Sequence, residues 1–150
     1  MTKNNRPHHI LLIEDNPADI GLLRYALDEQ KEPYSLEVLP DGESALRYVR
    51  EVYSNGPEPC LIVLDLHLPQ YDGSTILRAI RSEPALSQVA VAIVTASLSP
   101  LEKAEVMTLG VKLYRKKPMS YEETVELARE LIEICKGSER AADATASSGH

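Results

Sequence analysis

A run of four apolar residues that ends on a carboxylate, Leu61-Ile62-Val63-Leu64-Asp65, constrains the fold of this chain more than any other segment. An unbroken apolar run of this length is typical of a strand that is buried on both faces, as in a parallel sheet covered by helices. In such sheets, ligands bind at the carboxyl ends of the strands, so Asp65 is predicted to lie at the functional site. A strand-end Asp by itself is more often a helix cap, and the other strand ends must decide between the two roles.

Four further segments have strand patterns, and five helical patterns alternate with the strands. The strands are predicted over residues 8–13, 35–39, 61–64, 89–94 and 111–114, and the helices over 17–30, 43–52, 74–83, 100–109 and 120–135. Alternation of this kind predicts a doubly wound α/β fold, with a five-stranded parallel sheet in the order 2-1-3-4-5, the flavodoxin-like arrangement.

One domain is expected, over residues 8–135, between a flexible N-terminus (1–7) and a disordered tail (136–150) that is rich in Ala and Ser and lacks periodicity.

The last helix carries more apolar positions than the single stripe that is needed to cover the sheet. They are Val125, Ala128, Ile132 and Cys135 on one stripe, with Leu127, Leu131 and Ile134 beside it. The second stripe is either core or a surface for a partner.

Composition excludes several classes of function. A net charge of −7 argues against non-specific nucleic-acid binding, which needs clustered Lys and Arg. The chain has neither an apolar run that could span a membrane nor the features of a signal peptide at its start, so a cytoplasmic location is expected, without a membrane partner. Cys60 and Cys135 form no paired motif, and buried reduced thiols are expected.

The ends of four neighbouring strands carry complementary chemistry: Glu14 and Asp15 follow the first, Asp65 the third, Thr95 ends the fourth and Lys117 follows the fifth. Neighbouring strands lie about 4.8 Å apart, so these side chains can meet in one small space. Three carboxylates there favour a divalent cation with oxygen ligands, such as Mg²⁺. A hydroxyl and an ammonium suit the oxygens of a phosphoryl group, so Asp65 is predicted to be a nucleophile that accepts phosphate.

From about residue 8 to 134 the chain resembles the receiver domain of bacterial response regulators, the phosphoacceptors of two-component signalling. The matching motifs are Glu14-Asp15, Asp65 followed by Leu68-Pro69 and Asp72-Gly73, Thr95-Ala96, and Lys117-Pro118. The spacings of 30 positions from Asp65 to Thr95 and of 22 from Thr95 to Lys117 are those of such receivers. Each motif alone is weak, but the ordered set is specific.

The resemblance implies a phosphoprotein rather than a conventional enzyme. A histidine kinase would donate its phosphoryl group to Asp65, and the domain would assist its own phosphorylation and dephosphorylation. Mg²⁺ would be held by Asp15, Asp65 and the backbone carbonyl of His67, with Glu14 acting partly through water.

The resemblance also implies a switch and a backbone feature. Thr95 would move toward the phosphoryl group, and Tyr114, three residues before Lys117, would turn inward with it. His67 and Ser97 occupy the positions that influence how water reaches the phosphoryl group, where the His67 imidazole is either a bystander or a group that orients or excludes water. The Lys117-Pro118 bond is expected to be cis, as receivers usually have it, and Lys116 is expected to face solvent.

The first helix and the residues before it look most like the small stand-alone regulators that are associated with phytochrome-type kinases. The expected partners are therefore a sensor histidine kinase of that type, a second copy of the chain through the face of the fourth helix, fifth strand and fifth helix, and a downstream protein target.

Three other functions would share part of this pattern. A flavodoxin shares the fold, but Glu14 and Asp15 would repel the flavin phosphate where that protein binds it. An aspartyl-nucleophile phosphatase usually carries a second acid two residues after the first, where this chain has His67. A degenerate receiver that acts only as a binding module is disfavoured, because no member of the site is missing.

Overall fold

The computed structural model describes the backbone of residues 6–147 and the side chains of residues 6–139. Five strands alternate with five helices: β1 His8–Ile13, α1 Pro17–Asp28, β2 Tyr34–Leu39, α2 Gly42–Arg50, β3 Leu61–Leu64, α3 Gly73–Ser82, β4 Val91–Thr95, α4 Pro100–Met107, β5 Leu113–Lys116 and α5 Tyr121–Ser147. The strands are parallel and lie in the order β2-β1-β3-β4-β5, so the predicted fold and strand order are confirmed.

The sheet separates two apolar cores, because successive strand residues point to opposite faces. On one face, Leu11, Ile13, Ile62, Leu64 and Ile93 pack against α2, α3 and α4. On the other face, the alternate strand positions pack against α1 and α5; they are Ile10, Leu12, Leu61, Val63, Ala92 and Val94. Helices therefore cover both faces, and the ends of the central strands are the places where polar groups can gather.

Local signals fix where the helices begin and how the chain turns. The Asn16 side chain accepts hydrogen bonds from two backbone N–H groups at the start of α1, and the Ser120 hydroxyl accepts one from Glu123 N–H at the start of α5. Gly73 begins α3 where a Cβ atom would lie 2.5 Å from Leu66 Cα, so this close backbone approach requires glycine. Gly110, at φ +77°, takes the left-handed conformation after α4.

The last helix, α5, is longer than predicted, and both of its apolar stripes are buried. It continues past Cys135 and through Gly137 to Ser147, into the segment predicted to be a disordered tail. The Glu, Arg and Ala residues of that segment favour a helix, and a single Gly costs only about 1 kcal/mol. Both apolar stripes are core: Leu127 and Leu131 are as buried as Ala128 and Ile132. The predicted flexibility of residues 1–7 stays a prediction, since residues 1–5 and 148–150 lie outside the described part.

Two smaller expectations are wrong. Cys60 and Cys135 form a disulfide that joins the segment before β3 to α5, although they are 75 positions apart in the sequence. The packing of α5 across the sheet brings the two Sγ atoms together, which sequence spacing did not indicate. The Lys117-Pro118 bond is trans, the isomer that the intrinsic preference of X-Pro bonds favours by about 0.5–1 kcal/mol.

Among the described residues, no helix is long and apolar enough to cross a membrane.

Candidate phosphoacceptor site

Three carboxylates meet at the carboxyl ends of β1 and β3. Glu14 and Asp65 directly follow these strands and are buried, whereas Asp15 is exposed. The parallel register places Ile13 beside Leu64, so the residue after each strand is brought to the same edge. Ligand oxygens of Glu14, Asp15 and Asp65 all lie within 4.8 Å of one another. This all-oxygen set, partly open to solvent, suits a hard divalent cation.

The Lys117 ammonium lies among the buried carboxylates. Its Nζ is 3.2 Å from Asp65 Oδ2, 3.1 Å from Glu14 Oε1 and 2.7 Å from Asp19 Oδ2. Burial alone would lower the pKa of Lys117, but the hydrogen bond to Asp19 and the charges of Asp65 and Glu14 outweigh burial and raise this pKa. Lys117 is therefore a fixed positive charge beside the Asp65 carboxylate. Lys116 is exposed, as predicted.

Asp19 is a member of this cluster that the sequence analysis missed. It lies on the first turn of α1 and has the shortest contact to Lys117 of the three acids. The sequence held a partial signal, because Asp19 lies on the first turn of the helix that begins directly after Glu14 and Asp15. Asp19 contacts the same ammonium as Asp65, so the two carboxylates compete for it.

The electrostatics of the site are unfavourable for the charged form of Glu14. Burial raises the pKa of its carboxyl and the charge of Asp65 adds to this, while the Asn16 N–H and Lys117 offset only part of the rise. A divalent cation between Glu14, Asp15 and Asp65 would compensate these like charges. The residues present therefore fit a resident cation of the Mg²⁺ class.

Thr95 supplies an unpaired hydroxyl at the end of β4, the strand that lies beside β3. It ends β4, is fully buried, and its Oγ1 has no hydrogen-bond partner in the described part of the chain. Lys117 N–H donates to Thr95 O at 2.7 Å, so the backbone ties these two residues together. A buried hydroxyl without a partner is costly, and a phosphoryl oxygen on Asp65 would be a suitable acceptor.

Tyr114 stands on β5 beside the start of α4. The residue is partly buried, its hydroxyl accepts a hydrogen bond from Ser99 N–H at 3.4 Å, and Lys103 Nζ lies 5.9 Å from the ring centroid. The ring therefore connects β5 with the segment that follows Thr95 in the chain.

The loop after β3 forms the outer wall of the site. His67 N–H donates to Asp65 Oδ1 at 3.0 Å and orients the carboxylate. The His67 ring is exposed and lies 3.3 Å from Glu102 Oε1, at the start of α4. Ser97 is exposed on the loop after β4. An open cleft above the carboxylates is lined by Asp15, His67 and Glu102, among others.

Comparison with known proteins gives one family. The model described as "response regulator receiver domain" matches residues 10–129. The response regulator Rcp1 of Synechocystis is 37% identical over 97 residues, an alignment that covers 63% of this chain and 66% of Rcp1.

Two solved structures of similar proteins agree with this fold. The phosphorylated cyanobacterial phytochrome response regulator RcpA superimposes with a TM-score of 0.77 at 32% identity, covering 85% of this chain and 93% of RcpA. The Mn²⁺-bound form of Rcp1 gives a TM-score of 0.74 at 31% identity, covering 83% of this chain and 91% of that structure.

Proposed function

Because the chain belongs to the response regulator receiver family, we propose that Asp65 accepts a phosphoryl group from a histidine kinase in a Mg²⁺-dependent reaction. The observation that carries the proposal is the convergence on Asp65 of a lysine ammonium at 3.2 Å and two further carboxylates. The unpaired buried hydroxyl of Thr95, at the end of the neighbouring strand β4, adds support. An Asp that only capped a helix would need none of these neighbours.

The residues of the chain have distinct parts in this reaction. An Asp65 oxygen attacks the phosphorus of a phosphohistidine, the P–N bond breaks with its electrons going to the imidazole, and an acyl phosphate forms. His67 N–H orients the attacking carboxylate, and Lys117 stabilises the charge of the transferred group. Mg²⁺, held by Glu14, Asp15, Asp65 and the His67 carbonyl, would neutralise charge on the phosphoryl oxygens.

The same geometry supports a conformational switch. Thr95 gains a hydrogen-bond acceptor when Asp65 is phosphorylated, so the end of β4 is drawn toward the site. Tyr114, whose hydroxyl contacts Ser99, then changes its position relative to α4. The signal would leave the domain through the surface that includes α4 and β5.

Two exposed residues are candidates for setting the lifetime of the acyl phosphate. His67 and Ser97 lie on the loops after β3 and β4, and His67 also lines the cleft. In the described structure the His67 ring is directed to Glu102, which supports the role of a bystander toward water at Asp65.

The partners follow from the family and the surface. A sensor histidine kinase is the expected donor, and the likeness to RcpA favours one of the phytochrome type. A downstream protein is the expected receiver of the signal, in the cytoplasm, where ATP feeds such kinases.

Self-association is proposed through the face of α4, β5 and α5. The apolar excess of α5 no longer supports it, because those residues are core. The remaining support is exposed apolar surface at α4, where Leu101 is 85% exposed and Leu98 and Met107 also face solvent. Light scattering with and without a phosphate mimic tests it, with Leu101→Ser as the variant and the equally exposed Tyr53→Ser as the control. An unchanged monomer in wild type would contradict it.

Intact-mass measurement tests the central proposal. Acetyl phosphate with Mg²⁺ should add one hydroxylamine-labile phosphoryl group to the wild type and none to Asp65→Asn. Asp72→Asn, which changes a nearby loop acid, should be modified like the wild type. A modified Asp65→Asn protein would mean that another residue is the nucleophile.

The same assay separates the alternatives. A degenerate receiver would remain unmodified under all conditions. An aspartyl phosphatase would turn over phosphate esters with many product molecules per chain, but His67 stands where its second acid is expected. The phosphoacceptor is therefore preferred.

A further inference from the structure

A second cluster of ligand-type side chains lies at the opposite end of the same two central strands. His8 begins β1, Cys60 immediately precedes β3, and Cys60 N–H donates to His9 O across the strand pair. Cys135 and Glu139 lie on α5, four positions apart and therefore on one side of the helix. This cluster, His8, Cys60, Cys135 and Glu139, is called the thiol corner below.

The side chains of the thiol corner are close enough to share one ligand. One ring nitrogen of His8 and the two Sγ atoms lie within 4.8 Å of one another. Glu139 Oε2 is 3.1 Å from His8 Nδ1, which adds a carboxylate to the group. His8 is buried and Cys135 is fully buried, so these two donors are shielded from water, and Cys60 and Glu139 are partly exposed.

A fifth residue, Glu32, contacts His8 from outside the thiol corner. Glu32 Oε1 lies 3.3 Å from His8 Nε2, and Glu32 Oε2 lies 3.0 Å from Lys136 Nζ. A carboxylate on the second nitrogen of a histidine fixes the tautomer and the ring direction, and this is the usual outer partner of a metal-bound histidine.

The chemistry of these donors selects the ion. Two thiolates, an imidazole and a carboxylate are a tetrahedral set for Zn²⁺ and a poor set for Mg²⁺. Donors on one tetrahedral zinc ion lie roughly 3.3–3.8 Å apart, given Zn–S of about 2.3 Å and Zn–N of about 2.0 Å. Once the disulfide is reduced, the two Sγ atoms must separate to this distance, and the His8 nitrogen already lies within 4.8 Å of both.

We propose that reduction of the Cys60–Cys135 disulfide converts the thiol corner into a binding site for a zinc-class divalent cation. A dithiol reductant supplies two electrons and two protons, the S–S bond breaks, and the reductant leaves as its own disulfide. Binding of the cation then releases the two thiol protons to solvent, and His8 and Glu139 complete the coordination. In a reducing compartment the dithiol is the resting form, so the metal site is the state expected there.

The thiol corner is independent of the phosphoacceptor site. Cys60 and Asp65 lie at opposite ends of β3, five residues apart, which corresponds to roughly 16 Å at about 3.3 Å per residue. The proposal therefore does not rest on phosphorylation of Asp65, and either idea can fail alone.

Titration with Co²⁺, a spectroscopic substitute for Zn²⁺, tests the proposal. The protein is reduced with a phosphine, which leaves no competing thiol, and excess Mg²⁺ occupies the carboxylate site. The reduced protein should develop a thiolate-to-cobalt charge-transfer band that saturates at one Co²⁺ per chain, and Zn²⁺ should remove it. The oxidised protein should show no band. Carboxylate ligands at Asp65 cannot produce this band.

Variants test whether His8 and Glu139 bind the metal together with the two thiols, or whether the thiols bind it alone. His8→Gln should weaken Co²⁺ binding by more than about tenfold, and Glu139→Gln, at a half-exposed position that folding tolerates, should also weaken it. The neighbour His9→Gln is the matched control and should bind as the wild type does. Circular dichroism checks that each variant is folded.

Three results would overturn the proposal: no charge-transfer band in the reduced protein, the same band in the oxidised protein, or equal affinity in His8→Gln and His9→Gln. If the reduced protein shows no band, the thiol corner binds no metal. It would then be only a structural disulfide next to a histidine that contacts two carboxylates.

Discussion

The two ends of β1 and β3 carry polar clusters of opposite character. At the carboxyl end, Glu14, Asp15 and Asp65 place like charges within 4.8 Å, and one Lys117 offsets them. At the amino end, Cys60 and Cys135 are joined covalently and His8 lies between two carboxylates. The first cluster costs stability in the absence of a ligand, whereas the second contributes stability by a cross-link. The stability that the functional site loses at the carboxyl end of the sheet can thus be offset by the cross-link at the amino end.

The cross-link should have the largest effect. Closing a loop of 75 residues removes unfolded-state entropy that corresponds to about 4.5 kcal/mol in the chain-entropy account. Urea unfolding in EDTA should therefore show a lower free energy of unfolding for the reduced protein by up to that amount. The same loss is expected in Asp65→Asn, because the two ends do not touch. Equal stability of both redox forms would contradict a disulfide in solution.

Removing a charge at the other end should act in the opposite direction. Two like charges 4 Å apart repel by about 4 kcal/mol at an effective dielectric of 20, and Lys117 offsets most of this. Asp65→Asn should melt higher than the wild type in EDTA, by ~1 kcal/mol in free energy of unfolding. Glu58→Gln, which removes an exposed charge at the amino end of β3, should change little.

Mg²⁺ sharpens this test of the carboxylate end. It should stabilise the wild type by about 2.7 kcal/mol at one hundred times its dissociation constant. Asp65→Asn should gain less, because one ligand is weakened. If Asp65→Asn melts lower in EDTA and gains as much from Mg²⁺, the repulsion at this end of the sheet has been overestimated.

Asp19 should have a smaller, kinetic effect. Asp19→Asn releases Lys117 toward Asp65, and phosphorylation by acetyl phosphate should become about 1.4- to fivefold faster, since a partly exposed ion pair contributes roughly 0.2–1 kcal/mol. Stopped-time intact-mass measurements give the rate, and the exposed Glu29→Gln at the opposite end of α1 is the control. A slower Asp19→Asn would mean that Asp19 holds Lys117 in its productive place.

The pair of His67 and Glu102 should have the smallest effect. His67 Nε2 lies 3.3 Å from Glu102 Oε1, and both side chains are partly exposed. Glu102→Gln should therefore change the free energy of unfolding by less than about 0.5 kcal/mol. The dephosphorylation rate of Glu102→Gln, followed by mass, should equal that of the wild type if His67 is a bystander. A changed rate would assign water control to His67.

Much of the carboxylate end could be predicted because its residues directly follow buried strands. The apolar runs at residues 10–13, 61–64 and 91–94 can only be buried in a sheet with helices on both faces. Strand order then brings Glu14, Asp65 and Thr95 together without knowledge of any side-chain contact. Asp19 was missed because its contact with Lys117 depends on how α1 lies against the last loop.

The sequence by itself determined the layers of the fold, the strand order and the groups that follow each strand, since periodicity and turn residues act locally. Only the tertiary structure decided the length of α5, the burial of both its apolar stripes, and the meeting of Cys60 with Cys135 and of His8 with Glu139. These contacts join residues 75 and 131 positions apart. They depend on the angle at which α5 crosses the sheet, which is set by the packing of many side chains at once.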